Sequence, residues 1–185
     1  MSDARYRWLG WGTLVTLALY AAARGPLLPE MLWSCHVATA LVGVGLITGS
    51  RKLVAAGFLF HAALGFPGFL LLVVAKQWFS AASAWVHLLP LLAGAAYLRG
   101  RKLERATILH SWLILPVMLP ISYWLTPATL NVNLSHGPWG PVAAYFPSRW
   151  VFYIGLGTVN LAALALMRAI LNRVMGRSES NLSEP

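Results

Sequence analysis

The chain alternates long apolar runs with short polar breaks, and it does so on the scale of a bilayer. Predominantly apolar runs cover about 8–24, 31–49, 53–75, 81–98, 106–125 and 150–171. Each approaches the roughly 20 residues an α-helix needs to cross a hydrocarbon core. The breaks between them are brief: Arg24-Gly25-Pro26, Ser50-Arg51-Lys52, Lys76-Gln77 and the stretch from Arg99 to Arg105. The pattern predicts an all-α polytopic membrane protein, a six-transmembrane-helix bundle forming one membrane domain over residues 1–177. The fourth run is the weakest, being short and rich in alanine and glycine. Pro67 in the third run and Pro116 and Pro120 in the fifth predict kinks, since proline removes an amide donor.

Two segments depart from the pattern. Residues 126–149 make a long outer connection in a chain of otherwise minimal loops, which marks a functional segment or a lid. Residues 178–185 are polar and are expected to form a disordered tail.

Composition sharpens the membrane reading. The chain is 58% hydrophobic and 10% charged, whereas soluble domains carry about 25% charged residues. The acidic residues Asp3, Glu30, Glu104, Glu179 and Glu184 all avoid the apolar runs, which disfavours ion-coupled transport. A net charge of +9 would suit nucleic acid if it were clustered, but the basic residues punctuate the ends of apolar runs. The expected partner is therefore the lipid bilayer, not nucleic acid. With the amino terminus inside, the cytoplasmic side collects Arg5, Arg7, Arg51, Lys52, Arg99, Arg101, Lys102, Arg105, Arg168, Arg173 and Arg177. The outer side holds Arg24, Lys76 and Arg149. This bias predicts cytoplasmic amino and carboxyl termini and a multipass protein of the cell inner membrane. Trp33, Trp78, Trp85, Trp124, Trp139 and Trp150 fall near the outer interface, as an aromatic belt would. Arg5, Arg7, the run from Trp8 and Ala21-Ala22-Ala23 imitate a secretory signal, but are read as the first membrane helix. Cys35 stands alone, so an intrachain disulfide is excluded.

Candidate chemistry then narrows to histidine. His36, His61, His87 and His110 fall one each on the second to fifth runs, and His136 lies in the long connection. Ionisable groups at membrane depth are costly and mark functional sites. His36 and His87 lie at matching depth near the outer ends of their helices, and His61 is more central. One reading gathers His36, His87 and His136 as ligands of a metal ion, with Glu30, Cys35, Asn131 and Asn133 around them. Three imidazoles suit zinc and leave a position for water. Such a site would carry redox or hydrolytic chemistry, although the chain has no HExxH motif. A second reading pairs His36 with His87 and His61 with His110 around two haem b groups. It resembles the ascorbate-dependent transmembrane di-haem cytochromes in helix count and in one histidine on each of helices two to five. Others make the chain a non-catalytic accessory subunit among other membrane subunits, or a lipid or small-molecule transporter. The plain alternative is that each histidine bonds a neighbouring helix, worth about 0.6–2 kcal/mol.

Leu32-Trp33-Ser34-Cys35-His36, His87-Leu88-Leu89-Pro90 and the run from Leu115-Pro116 through Asn131-Val132-Asn133 to Gly137-Pro138 resemble an uncharacterised group of bacterial multipass inner-membrane proteins. The resemblance implies no established activity. It favours an outer site around His87, Asn131 and Asn133 over the di-haem arrangement.

Overall fold

The computed structural model describes residues 4–76, 80–138 and 140–176, and its regular structure is entirely helical. The helices are α1 (Ala4–Arg24), α2 (Ser34–Thr48), α3 (Arg51–Phe60), α4 (Phe66–Lys76), α5 (Ala81–Leu98), α6 (Ala106–Trp112), α7 (Ile114–Leu125) and α8 (Arg149–Gly176). A π turn at His61–Gly65 joins α3 to α4, and α6 runs into α7 at Leu113, so the segments make six helical rods. Four stretches are long and apolar enough to cross a membrane: Arg51–Val74, Ala81–Leu98, Ala106–Leu125 and Arg149–Met175. The helix α2 is apolar but has 15 residues, and α1 has 21 residues with arginines near both ends. Trp78, Trp139, Arg177 and the 178–185 tail lie outside the described residues.

Proline sets the irregularities. The second rod begins at Ser34 rather than 31, because Gly25–Leu32, with Pro29 inside, winds as a 3-10 helix. Gly25, at φ +52°, supplies the reversal after α1 at a conformation that favours glycine. The helix α6 stops at Trp112, the residue whose carbonyl a Pro116 amide would otherwise have capped. The π turn precedes Pro67 in the same way, and there the Phe66 amide bonds back five residues to the His61 carbonyl.

The core lies where α2 packs among α1, α3 and α5. Val42, Leu46, Val54, Phe58, Leu59 and Leu98 are buried there. Small residues bring these backbones close: a Cβ on Gly57 would sit 2.5 Å from the Ala38 carbonyl oxygen. Around it, α8 packs on α6, the π turn and α3, while the principal neighbours of α4 are the π turn and α5.

The two ends of the bundle are built differently. At the basic end, Asn172 grips one residue, accepting from the Leu103 amide at 2.7 Å and donating to its carbonyl at 3.1 Å. Arg168 adds bonds to the carbonyls of Leu103 and Glu104 at 2.9 and 3.0 Å. Arg51 donates to the Lys102 carbonyl at 2.7 Å, tying α3 to the same turn. At the opposite end, the connection from α7 to α8 folds over the start of α2, and this loop end carries the candidate site.

Candidate functional site

Cys35 and His36 occupy the first turn of α2, and His87 lies in α5. The Cys35 sulfur and one ring nitrogen of each histidine lie within 4.8 Å of one another, a group that could hold a metal ion. Both histidines are buried. The ring centroids of His36 and His87 are 5.8 Å apart. His61, at the head of the π turn, joins them with its centroid 5.3 Å from that of His87. Phe69 stacks on His87 at 4.3 Å and 15°, and Tyr20 lies 5.3 Å from His36.

The backbone fixes which nitrogen each imidazole offers. His87 Nδ1 meets the Ser83 carbonyl at 2.8 Å, and His36 Nδ1 meets the Glu30 carbonyl at 3.2 Å. A carbonyl only accepts, so each Nδ1 carries the proton and donates, leaving the lone pair on Nε2. Metal-ligating histidines are oriented by this kind of outer hydrogen bond. His61 differs: it is 0% exposed and neither ring nitrogen has a hydrogen-bond partner. Leaving such groups unsatisfied costs about 1–3 kcal/mol each. Gly65 makes the convergence possible, because a Cβ there would lie 3.0 Å from His61 Nδ1 and 3.1 Å from the Cys35 Cβ.

The other residues singled out from the sequence fall in distinct places. His136 is turned away from the cluster: its Nε2 meets the Thr126 carbonyl at 3.2 Å and its ring lies 4.8 Å from that of Tyr123. A three-histidine ligand set of His36, His87 and His136 is therefore not assembled, and Cys35 stands in the third place. His110 is exposed on α6 whereas His61 is enclosed beside His87, so the His61–His110 pair of the di-haem arrangement is not formed. His61 lies on the side of its rod that meets α5, with its ring beside His87.

Glu30 serves through its backbone, since its carboxylate forms an ion pair with Arg24. Asn131, at φ +42°, staples its own loop by donating to the Gly137 carbonyl at 2.9 Å and accepting from the His136 amide at 2.9 Å. Asn133 reaches α2. Its Oδ1 accepts from the Ser34 amide and hydroxyl at 2.7 and 2.9 Å. Its Nδ2 donates to the Leu32 carbonyl at 2.7 Å and to Ser122 Oγ at 2.8 Å. Asn133 thus uses its full bonding capacity to pin the residues just before Cys35 and His36.

Beside the cluster lies a cavity of about 780 Å³, lined by Cys35, His36 and His87 and by residues of α1, α4, α7, α8 and the loop. Asn160 of α8 lines it, is 2% exposed, and has no partner for either amide atom. Sequence reasoning passed over Asn160; a lone amide midway along the last apolar run was the available signal. It also treated Cys35 as a neighbour rather than a ligand, although its place beside His36 offered a second donor atom at the same depth. Comparison with family profiles, characterised proteins and solved structures finds no match to this chain.

Proposed function

We propose that this chain is a six-span inner-membrane protein that binds a transition-metal ion through Cys35, His36 and His87, with His61 as a fourth donor. Both termini lie in the cytoplasm, and the loop end faces outward. The basic residues at the opposite end support this orientation. The observation that carries the metal reading is the gathering of one donor atom each from Cys35, His36 and His87 within 4.8 Å, with backbone bonds to both Nδ1 atoms that leave the Nε2 lone pairs free to ligate.

One thiol with imidazoles is a donor set for zinc or copper rather than for magnesium or calcium. Donor atoms around tetrahedral zinc lie about 3.5 Å apart, as follows from its bond lengths. Binding therefore draws the present group in by roughly 1 Å, which the wide turn under His61 can accommodate. His61 supports the fit, because a metal would satisfy one of its orphaned nitrogens. The cluster borders the cavity, so a bound ion would face a molecule held there and could act on it as a redox centre or Lewis acid.

The test is metal analysis of detergent-purified protein loaded separately with zinc and with copper(I). About one tightly held ion per chain is expected for wild type, falling to background in Cys35→Ser and His87→Ala. Equal metal content in all three proteins overturns the reading.

A further inference from the structure

The cavity beside the cluster has features that a metal does not explain. Its volume of about 780 Å³ falls in the drug-sized range of roughly 300–1,000 Å³. Its body is apolar, with Leu64, Leu72, Leu115 and Leu156 among the lining side chains. Tyr20, Trp33, Phe60 and Phe69 add aromatic walls. Against this background stands Asn160, buried with both Nδ2 and Oδ1 unpartnered.

We propose that this cavity binds a lipid-soluble phenol or quinol, with its ring between the aromatic walls and a hydroxyl on Asn160. The amide selects the head group. Its Nδ2 donates and its Oδ1 accepts, so a single hydroxyl satisfies both. A carboxylate would only accept and an ammonium would only donate, and either would bring a charge into an apolar cavity. The walls select the ring, since aromatic pairs add about 0.5–1.5 kcal/mol beyond their buried area.

Access is lateral. Leu71 on α4 and Val159 on α8 both line the cavity, yet they are 71% and 67% exposed. They belong to apolar stretches, so the mouth between them faces the lipid of the proposed membrane frame. A ligand therefore enters from the bilayer, carrying its tail in the fissure between α4 and α8. Cys35, His36 and His87 border the cavity, but the head group is held by Asn160, so binding does not require the ion.

The test uses tritiated decylhydroquinone, kept reduced, partitioning between empty phosphatidylcholine nanodiscs and nanodiscs holding the metal-free full chain. Saturable binding of about one molecule per chain is expected. Decylbenzene and decanol should each bind at least about tenfold more weakly, a difference equivalent to one lost hydrogen bond or ring contact. Asn160→Leu should weaken the hydroquinone by about tenfold, while His110→Ala, at an exposed position on α6 outside the cavity lining, leaves it unchanged. Val159→Trp, a change on the lipid face that the fold tolerates, should obstruct the mouth and also reduce binding. Non-saturable uptake, equal binding by wild type and Asn160→Leu, or decanol binding as tightly as the hydroquinone overturns the proposal. Unaltered binding by Val159→Trp overturns the lateral route.

Discussion

Asn133 accepts two hydrogen bonds from Ser34, one from the backbone amide at 2.7 Å and one from the hydroxyl at 2.9 Å. The contact spans most of the chain and sits one residue ahead of Cys35. An α-helix leaves its first amides unsatisfied, and here the acceptor comes from a distant loop rather than from a local cap. Cys35 and His36, the candidate donors of α2, are thereby placed by the connection between α7 and α8.

Replacing Asn133 by alanine strands the Ser34 amide, the Leu32 carbonyl and the Ser122 hydroxyl. The expected loss is about 1–3 kcal/mol of stability, read as a lower midpoint of thermal unfolding in detergent, with weaker metal retention. Asn131→Ala, which cuts bonds within the loop alone, should lower the midpoint less. A larger effect from Asn131 would contradict this division of labour.

Gly65→Ala should loosen the cluster, because the added methyl meets His61 Nδ1 at 3.0 Å and the Cys35 Cβ at 3.1 Å. Metal content should fall severalfold while circular dichroism stays helical. Gly68→Ala is the control on the same rod, where a Cβ meets nothing within 4 Å. Matching metal content in the two variants would count against the packing described for the π turn.

His110→Ala and His136→Ala should leave bound metal unchanged, since His110 is exposed on α6 and His136 is engaged with Thr126. His61→Ala should weaken binding without abolishing it, because Cys35, His36 and His87 remain. Loss of the ion from the His136 variant would restore the ligand set expected from sequence.

Topology can be read with single cysteines introduced into a Cys35→Ser background and probed with a membrane-impermeant thiol reagent. A cysteine at Ala143 should label from outside in intact cells, and one at Arg173 only after lysis. The reverse pattern would invert the proposed frame.

Much of the helical architecture was legible because apolar run length and proline position are local properties. Pro116 marks its own break. The pairing of His36 and His87 was legible in part, since equal depth on two helices can be counted along the chain. The place of His61 was not, because depth along a helix does not say which neighbouring helix a side chain faces. His136 was misplaced for a related reason: left-handed residues at 131, 133 and 134 wind the loop so that this ring faces α7. Asn160 needed the tertiary structure, which alone reveals that no neighbour pairs with its amide.

The grip of Asn172 and Arg168 on Leu103 and Glu104 has a consequence for traffic through the molecule. Those bonds lock the last helix to the turn at the basic end, whereas a loop covers the opposite end and the flank between α4 and α8 carries the proposed mouth. The bundle resembles a flask with a sealed base. Under the proposed function, a molecule that enters by this mouth would leave by it too, which suits holding or modifying that molecule rather than passing it across the membrane.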